Sequence, residues 1–138
     1  MTMEKIHIAL LLILSSVFFS AGAIAQNKPL ACQSEASAGL SWENGRWVTV
    51  TFNGSKFILV QTKDGLTTES VAKALGGGFG VICRDVNPEI SCTGVSGESL
   101  YFDPINLNGG ISYVIGATGP DRPKRDTLSV LAFSCTSF

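Results

Sequence analysis

Histidine is almost absent from this chain: the sequence has one, His7. It lies in an N-terminal stretch that has the features of a removable export signal, so the mature protein has no imidazole. This excludes Ser-His-Asp and Cys-His nucleophile pairs as well as His-ligated zinc or haem, because each needs a side chain that titrates or coordinates as imidazole does. We therefore expect no histidine-based catalysis, no metal and no cofactor.

Long apolar runs are also missing. The main one, residues 8–19, has about a dozen residues, whereas a helix needs about 20 to span a bilayer. Residues 1–25 instead follow the plan of a signal peptide, in which Lys5 precedes the apolar run and Ala23-Ile24-Ala25 forms an A-x-A cleavage site. This predicts a single mature domain over residues 26–138, periplasmic or secreted, with no stable membrane insertion after cleavage.

An excess of charge of one sign is missing as well. The formal net charge is −1, and like charges nowhere form a long run. Such a balance creates no strong field toward nucleic acid or an anionic membrane. We expect a protein or glycan partner in the cell envelope or outside the cell, and no nucleic acid.

Four cysteines are present, an even number that indicates two disulfides in an exported chain. The chain contains no C-x-x-C pair of the kind that zinc sites use. Residues 81–86 and 90–95 predict a hairpin, and a turn centred on Asn87-Pro88 places Cys83 directly opposite Cys92, within disulfide reach. The second predicted bridge then joins Cys32 to Cys135.

The strongest local signal for a hairpin lies in residues 46–62. Runs of β-branched and aromatic residues flank Asn53-Gly54 there, and a type I′ turn needs two central residues that tolerate φ > 0. We therefore predict a β-hairpin that turns at Asn53-Gly54. Its core face would pair Phe52 with Ser55, Val50 with Phe57 and Val48 with Leu59.

A short helix is predicted from Thr68 to Leu75. Thr67 can cap its start, Gly76 suits the position after its end, and Glu69 with Lys73 forms an i,i+4 ion pair. The opposite face of the predicted hairpin is apolar only far from its turn, and we expect the helix to cover that patch. The patch consists of Trp47, Ile58 and Val60.

The rest of the chain has the pattern of short strands separated by turn residues. Residues 26–38 are small and polar, which predicts an arm held mainly by Cys32. Residues 127–135 carry apolar side chains at both odd and even positions, and so on both faces of a strand. This is typical of a central strand covered on both sides. Seven or eight short strands with one helix favour a mainly β fold, a small antiparallel barrel or a strongly bent sheet.

Several motifs are spread over most of the mature chain. They are Cys32, Gly39-Leu40-Ser41-Trp42 with Gly45-Arg46-Trp47, Leu100-Tyr101-Phe102-Asp103-Pro104, and Asp126-Thr127-Leu128-Ser129-Val130 followed by Phe133 and Cys135. Together they resemble a group of small exported proteobacterial proteins of unknown function. The resemblance implies an exported protein and assigns no functional residue.

The function predicted first is a non-catalytic binding or accessory module. Its candidate contacts are three cations in a loop stiffened by two prolines, together with two aromatic anchors. These residues are Arg122, Lys124 and Arg125, with Trp42 and Trp47 as the anchors. The competing interpretation is a solvated turn and two core tryptophans.

Two other function classes remain open. A carrier of a small apolar ligand would use a barrel cavity, because a barrel of about eight strands has room for side chains or for one small ligand. Its predicted lining is Val48, Phe57 and Leu59. A glycan hydrolase without histidine would need two carboxylates facing each other across a cleft. Its candidates are Glu89, Glu98 and Asp103 with Tyr101 as helper, although Asp103-Pro104 is also a common turn opening and Glu98 is predicted to lie in a polar loop.

Overall fold

The computed structural model describes residues 27–77, 80–114 and 127–138. The predicted signal peptide, residues 1–25, and the cations Arg122, Lys124 and Arg125 therefore lie outside the described residues. The elements in chain order are β1 (Lys28–Glu43), β2 (Arg46–Thr51), β3 (Lys56–Thr62), β4 (Gly65–Leu66), α1 (Thr68–Ala74), β5 (Val81–Val86), β6 (Glu89–Gly94), β7 (Ser99–Asp103), β8 (Asn108–Tyr113) and β9 (Thr127–Ser137).

The strands form one antiparallel sheet that curls on itself. Its order is β4-β3-β1-β9-β8-β7-β6-β5, and β2 also pairs with β1. The two outermost strands approach each other, since a side chain at Gly65 in β4 would meet Asp85 in β5 at 3.6 Å. Within the described ranges the result is a nearly closed barrel of 8 strands with one short helix, which confirms the predicted fold class.

The predicted hairpin at Asn53-Gly54 is wrong. Strands β2 and β3 do not pair with each other, because both pair with β1: residues 38–43 bond β2 and residues 28–33 bond β3. The tight turn forms instead at the earlier Asn44-Gly45, where φ is 50° and 80°, and it joins β1 to β2. The two Asn-Gly pairs are locally alike, so pairing with β1 decides which of them becomes a hairpin turn.

Residues 52–55 carry the chain from β2 to β3 past a β-bulge in β1 that follows Ser34. The Ser34 N–H donates to the Ser55 carbonyl at 3.0 Å, and the Ser55 N–H donates to the Ser34 hydroxyl at 2.7 Å. The Ser37 hydroxyl donates to the Phe52 carbonyl at 2.7 Å. These bonds satisfy the backbone between the two strands, which therefore follow one another along the same side of β1.

Residues 28–43 form a long strand at the centre of the sheet, so the expected arm over residues 26–38 is wrong. β1 spans 16 residues and pairs with β9 along nearly its whole length. β9 is central, as predicted, but it is covered on one side only. Phe133 and Cys135 are buried, whereas Val130 on the opposite face is 60% exposed.

Both predicted disulfides are present. Cys32 lies opposite Cys135 in the β1–β9 pair, and Cys83 lies opposite Cys92 in the β5–β6 hairpin, with Cα atoms 4.0 Å apart in each bridge. Disulfides persist in oxidising compartments and are rare where thiols are kept reduced. The bridges therefore indicate a protein that works outside the reducing cytosol.

The predicted helix is confirmed as α1. The Thr67 hydroxyl accepts a bond from the Ser70 N–H at 3.4 Å and caps its start, as N-cap threonines do. Lys73 donates to Glu69 at 2.7 Å across one turn. Gly76 follows the helix with φ 94°, a conformation that glycine adopts without strain.

The helix faces the core rather than the predicted apolar patch. Val71 and Leu75 are buried in the same cluster as Leu59. Side chains alternate along β3, so Ile58 points to the other side, where it is 46% exposed. The expectation that the helix covers Ile58 is therefore wrong.

The interior of the barrel is filled with side chains. The largest of the fully buried ones are Phe102, Phe133, Leu30, Leu59 and Leu100. The Phe133 ring contacts Phe57 edge-to-face, with centroids 5.1 Å apart, and stacks on Phe102 at 6.4 Å.

Candidate functional site

Part of the sheet reaches beyond the end of the barrel. We call this part the extension; it consists of residues 38–43 of β1, the whole of β2 and residues 127–130 of β9. Strand β8 pairs with β9 only as far as Tyr113 and Ser129, so the far end of the extension continues past it.

The strand register places the apolar side chains of the extension on one side. Leu40 lies opposite both Thr49 and Leu128, while Ala38 lies opposite Val130. Every second residue of a strand points to the same side of the sheet. We call that side the outer face; it consists of Ala38, Leu40, Trp42, Trp47, Thr49, Thr51, Leu128 and Val130.

Trp42 and Trp47 lie directly opposite each other at the far end of the outer face, and both are half-buried. Their ring centroids are 5.2 Å apart with an angle of 68° between the planes. The tight turn makes Glu43 and Arg46 a hydrogen-bonded pair, so the two tryptophans form the next, non-hydrogen-bonded pair, in which side chains approach most closely. Neither ring belongs to the core cluster. The two predicted anchors therefore stand together at the surface.

The other predicted contacts, Arg122, Lys124 and Arg125, lie outside the described residues. The first described residue after them is Thr127, which is opposite Ser41 in the β1–β9 pair. Ser41 is the neighbour of Trp42. The chain that follows the basic loop thus enters the sheet beside the tryptophan pair.

Asp103 serves a turn. Its Oδ1 accepts bonds from the backbone N–H groups of Ile105 at 2.8 Å and Asn106 at 3.0 Å, and its Oδ2 accepts from the Asn106 side chain at 2.7 Å. These bonds stabilise the carboxylate and lower the pKa of Asp103 below its ordinary value. Both oxygens are engaged, as the turn interpretation of Asp103-Pro104 predicts.

The three candidate carboxylates lie at two separate places. Glu98 precedes β7 and Asp103 ends it, so their Cα atoms are about 16 Å apart at about 3.3 Å per residue. Glu98 lies in the loop between β6 and β7, as predicted, but it is buried there, with 8% exposure. Glu89 is exposed. Because Ile90 pairs with Phe102, the adjacent residues Glu89 and Asp103 lie beside each other on the outside of the barrel.

The structure has a cavity, but its lining differs from the one expected for a carrier. Leu59 is part of the filled core, and Val48 lies on the extension. Phe57 lines an open cavity of about 320 Å³ at the end of the barrel next to α1. Its walls include Phe52, Phe57, Ile111, Tyr113 and Leu131, with Lys56 and Lys73 among the polar residues.

A second apolar surface lies on the outside of the β5–β6 hairpin. Ile82 is 62% exposed, and Val86 and Val95 are also exposed. These aliphatic side chains surround Arg84, and together they line an open groove of about 470 Å³. This surface carries no tryptophan, in contrast to the outer face.

Sequence reasoning named the two tryptophans but missed the surface that unites them with Leu40 and Leu128. That surface depends on the pairing of β1 with β9, which joins residues far apart in the chain. One signal was available: Trp42 and Trp47 are placed symmetrically about Asn44-Gly45, as cross-strand partners of a two-residue turn must be.

Two features are absent from the described residues. No group of three or more histidine, cysteine or acidic side chains is arranged to hold a metal ion. No helix in the described ranges combines the length and hydropathy that crossing a membrane requires.

Comparison of the chain with known protein families, with characterised proteins and with solved structures finds no match.

Proposed function

We propose that the protein is a non-catalytic binding module, periplasmic or secreted, that holds a protein partner on the outer face of its extension. The observation that carries this proposal is the Trp42–Trp47 ring pair, half-buried at the end of an apolar surface. The two disulfides support a place outside the cytosol. The resemblance to small exported proteobacterial proteins agrees with this and stays a prediction.

The chemistry of the outer face suits a protein interface. Leu40 and Leu128 continue the apolar surface from the tryptophans toward Val130, which is 60% exposed. Tryptophan is enriched among the residues that dominate binding energy, because its ring can bury about 150–250 Å². Contiguous apolar surface is rare on monomeric proteins unless it binds something.

The same surface fits a glycan less well. Sugars present many hydroxyl groups, and a site that binds them must offer hydrogen-bonding partners around its aromatic platform. The outer face has Thr49 and Thr51 as its hydroxyl groups, and its remaining side chains are apolar or aromatic. We therefore favour an apolar protein surface as the partner.

The scaffold is suited to hold this surface in one shape. Cys32 and Cys135 join β1 to β9, the two strands that also carry Leu40, Trp42 and Leu128 into the extension. A surface that is already ordered loses less conformational entropy on binding than a flexible one does. The position of the bridge thus supports recognition by a rigid sheet.

Site-specific photo-crosslinking in the producing cell tests the proposal. A photo-reactive amino acid replaces Val130 on the outer face or, as the matched control, Ile82 on the exposed β5–β6 surface. We expect a specific crosslinked protein from position 130, absent from position 82, that disappears in the Trp42→Ala, Trp47→Ala double variant. Circular dichroism and intact-mass measurement of both disulfides establish that this variant is folded.

Two results would contradict the proposal. One is a crosslinking pattern at position 130 that the double tryptophan variant leaves unchanged. The other is retention of the protein on an immobilised glycan, through the tryptophans, without any crosslinked protein. Neutralising Arg122, Lys124 and Arg125 to glutamine is a separate arm: unchanged crosslinking there removes the basic loop from the interface.

The cavity beside α1 favours a second candidate, a carrier of a small amphipathic ligand. Its volume of about 320 Å³ is near the lower end of the range of ligand pockets, about 300–1,000 Å³. Aromatic walls with Lys56 and Lys73 among the lining residues suit a short-chain carboxylate. Calorimetric titration with octanoate tests this: heat of binding that Leu131→Trp abolishes supports a carrier, and its absence from the native protein contradicts one.

A further inference from the structure

The sheet has one strand edge that differs from the others. The β3 edge is covered, because the Val60 N–H donates to the Ser70 hydroxyl at 3.0 Å and the Val60 carbonyl accepts from the Thr67 N–H at 2.9 Å. Next to it, β4 pairs with residues 61–62 and approaches β5. The terminal strand β5 pairs with β6 alone, but α1 and β4 lie against it. Strand β2 pairs with β1 alone within the described part of the chain, and neither the helix nor another strand is packed along its other edge there.

The tight turn determines which backbone groups of β2 point outward. In a two-residue hairpin the flanking residues, here Glu43 and Arg46, exchange both backbone hydrogen bonds. Bonded and non-bonded residues then alternate along an antiparallel pair, so Val48 and Val50 also bond to β1. Thr49 and Thr51 consequently direct their N–H and C=O groups away from β1.

The side chains of β2 do nothing to block this edge. Natural proteins protect exposed edges with lysine, proline, bulges or inward-pointing charges. The strand reads Arg-Trp-Val-Thr-Val-Thr, with one charge at its first position and β-branched residues beyond the tryptophan. An open edge of this composition is suited to the addition of another strand.

We propose that β2 pairs antiparallel with β2 of a second copy of this chain, with Thr49 on the two-fold axis. Residues that lie directly opposite each other in such a pair point to the same side of the sheet. The register must therefore place outer-face residues of one copy opposite outer-face residues of the other. Centring on Thr49 pairs its outward N–H and C=O groups with those of Thr49 of the second copy. It also leaves the Asn44-Gly45 turn outside the paired region.

Self-complementarity of the strand favours a second copy over an unrelated strand. In this register Val48 lies opposite Val50 of the second copy, and threonine lies opposite threonine, both favourable cross-strand pairs. Arg46, the only charge in β2, comes beside Phe52 of the second copy rather than beside its own equivalent. A cation next to an aromatic ring is attracted to it, whereas two opposed arginines would repel.

Such a dimer would join the two extensions into one continuous sheet. The two-fold axis would be perpendicular to that sheet, so both outer faces would lie on the same side. The dimer would then offer two tryptophan pairs to one surface, which strengthens binding through effective concentration. This consequence rests on the proposed function, whereas the pairing of β2 does not.

Charge swapping at the axis tests the pairing. Thr49 is exposed, so Thr49→Lys and Thr49→Glu leave the fold intact while each places two like charges opposite one another. Sedimentation velocity should show a dimer for the native protein and monomers for each variant alone. An equimolar mixture of the two variants should form a 1:1 heterodimer. The matched control is the same pair of changes at Thr93, exposed in β6, which should leave the native dimer unaltered.

Cysteine crosslinking tests the register itself. Hydrogen-bonded partners in an antiparallel pair have Cα atoms about 5.5 Å apart, within disulfide reach. Thr49→Cys should therefore give a disulfide-linked dimer on mild oxidation, and Thr51→Cys, on the same face, should give none. A native protein that stays monomeric up to about 1 mM, near the weak end of specific association, overturns the proposal. So does a dimer that persists in both charged variants at position 49, or one that crosslinks equally at position 51.

Discussion

Gly109 leaves the space in which the aromatic core packs. Its position in β8 pairs with Phe102 on one side and with Phe133 on the other, and the two rings stack with centroids 6.4 Å apart. A Cβ atom at Gly109 would lie 2.6 Å from the Phe133 ring and would clash with the Tyr101 carbonyl. The requirement at this position is therefore steric.

Gly109→Ala should lower the free energy of unfolding by about 1–3 kcal/mol, the usual effect of forcing an extra methyl group into a packed core. The adjacent Gly110 provides a matched control, because a Cβ there meets the Leu131 carbonyl at 3.4 Å and little else. Gly110→Ala is expected to be neutral or slightly stabilising. Urea unfolding of the three proteins measures the difference, and equal midpoints would refute the steric role of Gly109.

Tyr113 gives the fold a dependence on alkaline pH. Burial of the phenol, and secondly the negative charge of Glu98, raise the pKa of Tyr113 above its ordinary value of 10.0. Above pH 10 the unfolded chain releases this proton more readily than the folded protein does, so the free energy of unfolding falls as the pH rises further. Below pH 10 both states keep the proton and the tyrosine adds no pH dependence.

Tyr113→Phe should therefore reduce the loss of stability between pH 9 and pH 11. At neutral pH it should cost about 1 kcal/mol, because the phenol donates a hydrogen bond to the Ala74 carbonyl at 3.2 Å. Urea midpoints across this pH range provide the measurement. Tyr101→Phe, at an exposed tyrosine, serves as the control for removal of a phenol. A Tyr113→Phe curve parallel to the native one would contradict the assignment.

At the scale of elements, one side chain joins the helix to the sheet. The Ser70 hydroxyl accepts from the Val60 N–H at 3.0 Å and donates to the Thr67 carbonyl at 2.9 Å. Ser70→Ala should lower the free energy of unfolding by about 1–3 kcal/mol, since it leaves a half-buried N–H unsatisfied. Thr68→Ala, an exposed change on the same helix turn, should have a much smaller effect. Chemical denaturation compares the two, and equal losses would show that the bond to β3 is unimportant.

Elements defined by local signals were predictable from sequence, and those defined by distant pairing were not. The capping Thr67 and the i,i+4 pair lie within a few residues of each other, as do Cys83 and Cys92 across their turn. The hairpin at Asn53-Gly54 failed because nothing within the segment distinguishes it from Asn44-Gly45. The prediction failed because β1 is long enough for both β2 and β3 to pair with it instead of with each other.

The candidate site follows the same division. Trp42 and Trp47 were identified as candidate anchors from residue type, and their contact follows from a two-residue turn. The outer face also needs Leu128, which reaches Leu40 through a strand pair that closes a loop of more than half of the chain. The alternation of side chains within either segment does not show which residues of β1 and β9 lie opposite each other. The outer face as a whole could therefore be identified only from the fold.

At the scale of the whole molecule, the long disulfide joins the two strands on which the sheet depends. Cys32 and Cys135 are separated by 103 residues, and Cys83 and Cys92 by 9. In the chain-entropy account a bridge stabilises by restricting the unfolded chain, by about 4.7 kcal/mol for the long loop and about 2.6 kcal/mol for the short one. Removal of the long bridge should therefore lower the free energy of unfolding more than removal of the short one.

The double variants Cys32→Ala, Cys135→Ala and Cys83→Ala, Cys92→Ala test this ranking by urea unfolding of the otherwise oxidised proteins. Domains of this size have free energies of unfolding of about 5–15 kcal/mol, so loss of the long bridge should remove roughly a third to nearly all of the stability, whereas loss of the short one should remove roughly a sixth to a half of it. Each variant acts as the control for the other, since both replace two packed sulfur atoms in adjacent strands. A larger loss from the short bridge would mean that strand packing at β5–β6, rather than restriction of the unfolded chain, determines what the cross-links contribute.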